Sequence, residues 1–214
     1  MAAACGFFHT ALVLDDGEAL LFGRNAEGQC ALPAERLRGR RVTQAACGGY
    51  HTALVLDDGE ALLFGRNNAQ GQCALPAERL RGRRVTQAAC GAYHTALVLD
   101  DGEALLFGRN NYGQCALPAE RLRGRRVTQA ACGVYHTALV LDDGEALLFG
   151  GNAQGQCALP AERLRGRRVT QPTGDSTLLT QPLVEHPGQA AGQPAPPGPA
   201  RGWLSALWRS GSTQ

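Results

Sequence analysis

Short apolar runs separated by polar turns recur four times in the first 171 residues. In the second copy, the runs at 52–56 and 61–64 flank the sequence Asp-Asp-Gly-Glu at 57–60. An Asp-Gly pair between two apolar runs predicts a β-hairpin. The runs are almost continuously apolar, which is typical of strands that are covered on both faces. The pattern therefore predicts short buried strands joined by tight turns.

Three further elements are predicted in the second copy. Residues 84–90 predict a third strand, which begins near Val85 and continues in small side chains. Residues 72–75 are a candidate for a short outer strand. One helical turn is predicted over 77–80, because Pro76 stands before it and proline suits the start of a helix.

A helical repeat is the alternative, since HEAT and armadillo units have similar lengths. Asp57 and Glu60 also stand three residues apart, as in a helix capping box. Glycines interrupt the second copy so often, however, that only five residues separate Gly59 from Gly65. Helices in packed repeats need about 10 residues or more. The glycine spacing therefore favours strands.

The four copies have a nearly constant period. Equivalent histidines are separated by 42, 43 and 42 residues, and the longer step contains one additional asparagine at 67–68. A fixed period of this length indicates a repeat protein, in which each unit buries its apolar face against its neighbours. We expect the turn glycines to have positive φ and a structural role. They are Gly17, Gly59, Gly102 and Gly144.

The repeated residues resemble the regulator of chromosome condensation repeat. The shared segments are Gly-x-x-His-Thr-Ala-Leu, then Asp-Gly, then Phe-Gly-x-Asn-x-x-Gly-Gln, in all four copies between residues 4 and 171, with one additional residue before Gly-Gln in the second copy. The resemblance implies a β-propeller with four-stranded blades. It divides residues 1–171 into repeats at about 5–46, 47–89, 90–131 and 132–171.

Members of this family usually close a ring of seven blades, whereas this chain contains four units. We therefore expect an all-β, propeller-type array of four blades that forms an open arc. A tight ring that pairs 169–170 with 4–5 is the alternative. An open arc would leave apolar side chains exposed at its ends and favour self-association. The candidates for exposure are Leu12, Leu14, Leu20, Leu139, Val140 and Leu147.

Residues 172–214 have a different composition. They contain seven of the eleven prolines together with many Gly, Gln, Ser and Ala residues, and no repeat recurs there. This composition predicts a disordered tail. Within it, the apolar residues of 203–208 could share one helical face and bind a protein or a membrane interface. An unselected chain end is the alternative.

Composition and charge narrow the function classes. The net charge is +2, and all 21 basic residues are arginine, so no lysine amine is present for a Schiff base or for modification. No apolar run approaches the roughly 18 residues that a membrane helix needs. The N-terminus lacks the basic and apolar regions of a signal peptide. We therefore expect a reducing cytoplasmic or nuclear location and eight free thiols.

Cysteine and histidine recur in each copy, as in Cys47, His51 and Cys73. Their spacing matches no zinc finger or ribbon, and a cysteine beside glycine in a strand is typical of a small buried residue. His51 and Asp57 suggest a catalytic pair, but a catalytic site occurs once and this pair occurs in every unit. We expect no metal site, no cofactor and no enzymatic activity. The resemblance implies structural hydrogen bonds between blades for His9, His51, His94 and His136.

A basic cluster at 79–84 also recurs and could contact phosphates. Alternating strand directions should place it on the same side of the blades as the acidic turn at 57–60. Each unit would then set four or five arginines beside three acidic groups, so much of the charge would be compensated. We therefore expect nucleic-acid binding to be weak.

The loops on the opposite side differ most between copies. They carry aromatic, arginine and asparagine side chains, which suit protein recognition on a rigid scaffold. The candidate partner-binding residues are Phe8, Arg24, Asn25, Tyr50, Arg66, Asn67, Tyr93, Arg109, Asn110, Tyr112, Tyr135 and Asn152.

These features favour a non-catalytic protein-interaction scaffold. The resemblance implies three roles seen among relatives: guanine-nucleotide exchange on a nuclear GTPase, modules of HECT-type ubiquitin ligases, and ultraviolet-B reception. Photoreception would need clustered tryptophans, and only Trp203 and Trp208 occur. We expect a ubiquitin-ligase-associated or signalling adaptor module that binds an unidentified protein. A guanine-nucleotide exchange factor for a small GTPase is the alternative.

Overall fold

A computed structural model describes residues 2–66 and 70–170 of the protein. In this part of the chain, four antiparallel sheets follow one another, and each contains three strands in sequence order. A single helical turn follows each sheet.

We call the sheets blades 1 to 4. Their strands are β1 (Ala2–Cys5), β2 (His9–Val13) and β3 (Ala19–Gly23); β4 (Val42–Cys47), β5 (His51–Leu56) and β6 (Ala61–Gly65); β7 (Val85–Cys90), β8 (His94–Leu99) and β9 (Ala104–Gly108); and β10 (Val127–Cys132), β11 (His136–Leu141) and β12 (Ala146–Gly150). The helical turns are α1 (Ala34–Leu37), α2 (Ala77–Leu80), α3 (Ala119–Leu122) and α4 (Ala161–Leu164).

The all-β propeller-type fold is confirmed, and so is the helical turn at 77–80. The implied fourth strand, expected at 72–75, does not form in any described blade. Residues 71–75 instead make tight turns, in which the Ala74 amide donates to the Gly71 carbonyl at 3.0 Å. Gly71 has a φ of 67°, and Pro76 has no amide hydrogen to donate to a neighbouring strand.

The hairpin prediction is also confirmed. The Leu56 amide donates to the Glu60 carbonyl at 2.9 Å, and the Gly59 amide donates back to the Leu56 carbonyl at 3.0 Å. This three-residue loop needs a left-handed residue at its end, and glycine adopts that conformation without strain. The φ values of the four turn glycines lie between 81° and 85°. They belong to Gly17, Gly59, Gly102 and Gly144.

Each blade has two chemically different faces. We call the leucine-bearing side the leading face, because it packs against the preceding blade. Leu54 and Leu62 of blade 2 pack in this way against Val13 and Ala19 of blade 1. The side with smaller residues is the trailing face, which packs against the following blade. The junctions between blades 2 and 3 and between blades 3 and 4 repeat this arrangement.

The array is open in the described residues, because extensive strand contacts between blades join only consecutive blades. On blade 1, Leu20 is 40% exposed and Leu12 and Leu14 are half-buried, in line with the expectation. The expected exposure of Leu139, Val140 and Leu147 is wrong.

Two packing arrangements explain why these three side chains are buried. Leu139 and Leu147 belong to the leading face of blade 4, which blade 3 covers. Val140 pairs with Ala146 on the trailing face. The segment after blade 4 lies along that face, where Leu164 and Val169 line a groove with Ala146.

Candidate functional site

Two sets of loops meet at one end of every blade. The turn between the first and second strands is beside the loop after the third strand, because His51 pairs with Gly65 and Cys47 pairs with Thr52. The acidic hairpin and the arginine-rich connection lie at the opposite end. Topology therefore separates a loop surface with aromatic side chains from a charged surface.

Aromatic rings and arginines form a continuous ridge on the loop surface. The rings of Tyr50 and Tyr93 stack with their centroids 5.3 Å apart. Phe8 lies 5.9 Å from Tyr50, and Tyr112 lies 5.1 Å from Tyr135. We call this set the aromatic ridge. It consists of Phe7, Phe8, Arg24, Tyr50, Arg66, Tyr93, Arg109, Tyr112 and Tyr135.

Arginines link the rings of the ridge. Arg109 lies over three rings, with its guanidinium carbon 5.7 Å from the centroid of Tyr93, 5.9 Å from Tyr112 and 5.8 Å from Tyr135. Arg66 lies 5.6 Å from the centroid of Tyr50. These cation–π contacts hold the flexible arginine side chains over rigid rings. Blade 4 has Gly151 at the equivalent position, so the arginine row ends at blade 3.

The ridge carries a positive charge excess. The described loops around it contain three ridge arginines and one acidic residue, Glu27, whose carboxylate lies 3.9 Å from the guanidinium of Arg66. Burial, together with a hydrogen bond to Tyr50, raises the pKa of Tyr93, so its phenol stays protonated. An acidic or hydrogen-bond-accepting partner would therefore match this surface.

The asparagines of the predicted set shape the loops. The carboxamide oxygens of Asn25, Asn110 and Asn152 each accept a hydrogen bond at 2.8 Å from the backbone amide of a cysteine five residues later. They therefore hold the loop backbone below the ridge. Asn67 lies outside the described residues. The prediction omitted Phe7, although its ring lies 6.3 Å from that of Tyr50.

A buried hydrogen-bond chain supports the ridge at every blade junction. The Nε2 atom of His51 lies 2.9 Å from the Thr95 hydroxyl of the next blade. That hydroxyl donates in turn to the Gln72 carbonyl at 2.8 Å. His9 and His94 make the same contact with the next blade, to Thr52 and Thr137.

The prediction missed the threonines and glutamines of these chains. The signals that could have indicated them are the His-Thr and Gly-Gln pairs present in every copy.

The geometry fixes the protonation state of these histidines. The threonine hydroxyl has one proton, which it gives to the glutamine carbonyl, so the histidine Nε2 must carry a hydrogen and donate it. Burial lowers the pKa of His51 to about 3 and that of His94 to about 4. Both rings are therefore neutral at physiological pH. They are structural groups, because their remaining acceptor atom, Nδ1, is buried and has no hydrogen-bond partner among the described residues.

The opposite surface is covered by ion pairs between consecutive blades. Arg36 and Arg40 follow blade 1 and pair with Glu60 and Asp58 of the blade 2 hairpin. Hydrogen bonding to Arg40 lowers the pKa of Asp58. The same arrangement recurs at the next two junctions. Arginine clusters and acidic turns thus share a surface, as the alternation of strand directions predicts.

The described residues contain no group of three or more His, Cys, Asp or Glu side chains that could hold a metal ion. Burial raises the pKa of the Cys47 and Cys132 thiols to about 12. These thiols are therefore poorly reactive near neutral pH. Within 2–66 and 70–170, no helix is long and apolar enough to cross a membrane.

The sheets, the repeated loops and the junctions define a β-propeller repeat protein. Two models of the regulator of chromosome condensation (RCC1) repeat match the sequence, one over 42–72 and 85–114 and the other over 16–55 and 101–140. The chain belongs to the RCC1 repeat family. No curated protein matches it.

Solved structures share this fold. Human WBSCR16 is 24% identical over 71% of this chain and 48% of its own length, with a TM-score of 0.60. Prp20p from Saccharomyces cerevisiae, whose structure is described with its binding to Gsp1p and histones, is 20% identical over 80% of this chain and 49% of its own, with a TM-score of 0.61. The same yeast protein has also been crystallised with Kap60. The present chain thus spans about half the length of these proteins.

Proposed function

We propose that this protein is a non-catalytic scaffold that binds a protein partner through the aromatic ridge. A ubiquitin-ligase-associated or signalling adaptor module in the cytoplasm or nucleus is the role that we favour. The observation that carries the proposal is the ridge itself, where stacked rings and arginines are presented on rigid blades. Aromatic and arginine side chains dominate the binding energy of protein interfaces.

The exposure of the ridge supports this proposal. Phe8 is 49% exposed and Tyr112 is 52% exposed, and both belong to the contiguous aromatic ridge. Contiguous exposed apolar patches mark interaction sites. Ring stacking and cation–π contacts have already ordered the side chains in the free protein, so little conformational entropy would be lost on binding. The arginine excess favours an acidic segment on the partner.

The junction chemistry supports a role without catalysis. Burial keeps His51 neutral, with its Nε2 atom beside the Thr95 hydroxyl, and burial also keeps the Cys47 thiol protonated. The candidate catalytic pair of His51 and Asp57 is also separated along the blade, because His51 begins β5 and Asp57 follows its end. These groups therefore lie at opposite ends of the strand.

Quantitative affinity purification with matched variants tests the proposal. The double variant Phe8→Ala/Tyr112→Ala removes two exposed ridge rings. Arg38→Ala/Arg81→Ala is the control, because both arginines are highly exposed on the opposite surface. We expect partners enriched by the natural protein to fall at least about tenfold with the ridge variant and to persist with the control. Equal recovery with both variants would contradict the proposal.

Guanine-nucleotide exchange is the second candidate, and the fold similarity to Prp20p, described with its binding to Gsp1p, favours it. The described loops argue for the scaffold instead, because the four hairpin turns have the same three residues and none is extended into a wedge. Release of a fluorescent guanine nucleotide from a small GTPase separates the two functions. Release accelerated by this protein would support exchange, and binding without accelerated release would support the scaffold.

A further inference from the structure

The two ends of the array present the two surfaces that join at every internal junction. Blade 1 has an uncovered leading face, and blade 4 has an incompletely covered trailing face. We propose that copies of this chain associate head to tail, with the leading face of blade 1 in one copy packed against the trailing face of blade 4 in another. The proposal does not depend on the aromatic ridge.

The leading face of blade 1 has the same residues as faces that are buried elsewhere. Leu20 is 40% exposed, whereas its equivalent in blade 2, Leu62, is 1% exposed. Thr10 and Leu12 are half-buried, and their counterparts in blades 2 to 4 are fully buried. Phe22 is 54% exposed on the same face. The residues that dock one blade onto another are therefore present on blade 1, where no blade within the described residues covers them.

The trailing face of blade 4 shows the complementary change. His136, Ala138 and Gln156 are only partly buried, although their equivalents in the preceding blades are almost completely buried. The described part of the chain contains no following blade that could cover them. His136 and Gln156 are equivalent to His94 and Gln114, which form hydrogen bonds with Thr137 at the junction before blade 4.

The internal junctions also fix the hydrogen bonds of the proposed contact. His94 Nε2 lies 3.0 Å from the Thr137 hydroxyl, which donates to the Gln114 carbonyl at 2.7 Å. In the same register, His136 would donate to Thr10 of the second copy, and that hydroxyl would donate to the Gln156 carbonyl. The partly exposed His136 and Gln156 would then form the same hydrogen bonds that their equivalents form at the three internal junctions.

Charges at the two ends are complementary as well. At each internal junction, arginines after one blade pair with the acidic hairpin of the next, as Arg36 does with Glu60. Arg163 and Arg167 after blade 4, and Asp16 and Glu18 of blade 1, form no ion pairs among the described residues. Head-to-tail association would pair Arg163 with Glu18 of the second copy. Unpaired carboxylates on blade 1 and unpaired arginines after blade 4 thus favour a second copy of this chain as the binding partner of both faces.

The proposed interface is heterologous, because two different surfaces meet. Such contacts produce a closed ring when the geometry returns to its start and an open chain when it does not. Sedimentation velocity over a range of protein concentrations tests for either product. We expect oligomers that grow with concentration, and a natural chain that stays monomeric at every concentration would overturn the proposal.

Mixing two variants tests the polarity of the contact. Leu12→Glu/Leu20→Glu blocks the leading face, and Ala138→Glu blocks the trailing face. Each variant alone should be monomeric, with dissociation constants raised at least about tenfold. Their mixture should form a 1:1 dimer and no larger species, because one intact face remains on each. A mixture that stays monomeric, although both variants melt like folded protein, would contradict the proposal. Ala116→Glu is the control for the added charge, because Ala116 is exposed in the loop after β9 and away from both end faces, and this variant should associate normally.

A charge swap provides a second test that does not alter the apolar faces. Glu18→Arg alone and Arg163→Glu alone should each weaken association several-fold, because like charges would then face each other. The double variant should restore it. Glu78→Arg makes the same change in net charge as Glu18→Arg, but at an exposed site away from both ends. It should have no effect on association. Failure of the double variant to recover association would reject the proposed register.

Discussion

Blades 2 and 3 differ from blades 1 and 4 in burial, although the five residues His-Thr-Ala-Leu-Val at the start of the second strand are identical in all four. Every residue of β5 and β8 is buried, whereas β2 and β11 contain half-buried positions on opposite faces. The burial of a residue in this protein is thus set by the neighbouring blade and not by the local sequence. Stability in such an array comes from repeat units and the interfaces between them.

Leucine truncation should give the largest difference between inner and end blades. Leu62→Ala removes a fully buried side chain from the junction of blades 1 and 2 and should cost about 2–5 kcal/mol of unfolding free energy. Leu20→Ala at the equivalent position of blade 1 should cost less than about 1 kcal/mol, because that side chain is already partly hydrated. Chemical denaturation of dilute protein measures both. Equal costs would show that an unseen surface covers blade 1.

Acid should have the second-largest effect, because it destabilises the junctions between the inner blades. His51 has a folded pKa of about 3, below the value of about 6.5 in the unfolded chain. The unfolded state therefore binds more protons, and the stabilisation that is present above pH 6.5 is lost as the pH falls toward 3. The loss should approach about 1.4 kcal/mol per pH unit.

Substitution separates the histidines at different junctions. His51→Gln should flatten the dependence of stability on pH between 6.5 and 5, and His136→Gln should flatten it less, because blade 4 leaves His136 partly exposed. This window lies above the lowered pKa of Asp58, so that carboxylate contributes little to the slope. Unfolding curves at several pH values provide the measurement. Identical slopes of stability against pH for the two variants would contradict the predicted difference between His51 and His136.

The hairpin turns should be insensitive to blade position. A Cβ atom on Gly17 would lie 2.6 Å from the Arg41 Cβ, and one on Gly102 would lie 2.5 Å from the Arg126 Cβ. Both glycines also have positive φ. Gly17→Val and Gly102→Val should therefore each cost about 1 kcal/mol or more. Gly124→Val is the control, since its φ is also positive but no atom lies within 4 Å of the built Cβ, and it should cost less.

Thermal melting is sufficient for this comparison. An unchanged melting temperature for Gly102→Val would show that the turn has been misassigned. A cost in blade 3 but not in blade 1 would mean that the turn, too, depends on the neighbouring blades.

Nucleic-acid binding should be the smallest effect. Some arginines in each connection after blades 1 to 3 form ion pairs with an acidic hairpin, whereas the arginines after blade 4 form none among the described residues. We expect weak binding to a labelled duplex that decreases with added salt, because only phosphate contacts contribute. Fluorescence anisotropy checks this expectation. Nanomolar, sequence-selective binding at physiological salt would contradict it.

Much of the blade could be predicted because its signals are local. The Asp-Gly turn, the apolar runs and Pro76 each determine the backbone over a few residues, and these elements form as expected. The outer strand at 72–75 was not predictable in this way, because an edge strand depends on whether a neighbouring chain offers hydrogen bonds. The Val140 side chain was mispredicted for a related reason, since the segment after blade 4 folds back along its face.

The aromatic ridge was only partly predictable. Its residues could be chosen because they stand on the variable loops of a repeat. Their mutual contacts depend on the distance and angle between consecutive blades, as in the stacking of Tyr50 on Tyr93 across a junction. The assignment of Asn110 to loop support also required the structure, because its hydrogen bond to the Cys115 amide depends on the fold of that loop.

The sequence by itself determined the repeat, its strands, its turns and the polarity of each blade, because these follow from residue spacing and from glycine and proline geometry. The tertiary structure decided which identical leucines are buried, which histidines meet a threonine and which arginines meet an acid. These properties require a second blade at a fixed distance, and copies with the same sequence have different neighbours. Leu20 and Leu62 show the consequence: equivalent residues of nearly identical repeats differ in exposure because, among the described residues, only Leu62 has a blade in front of it.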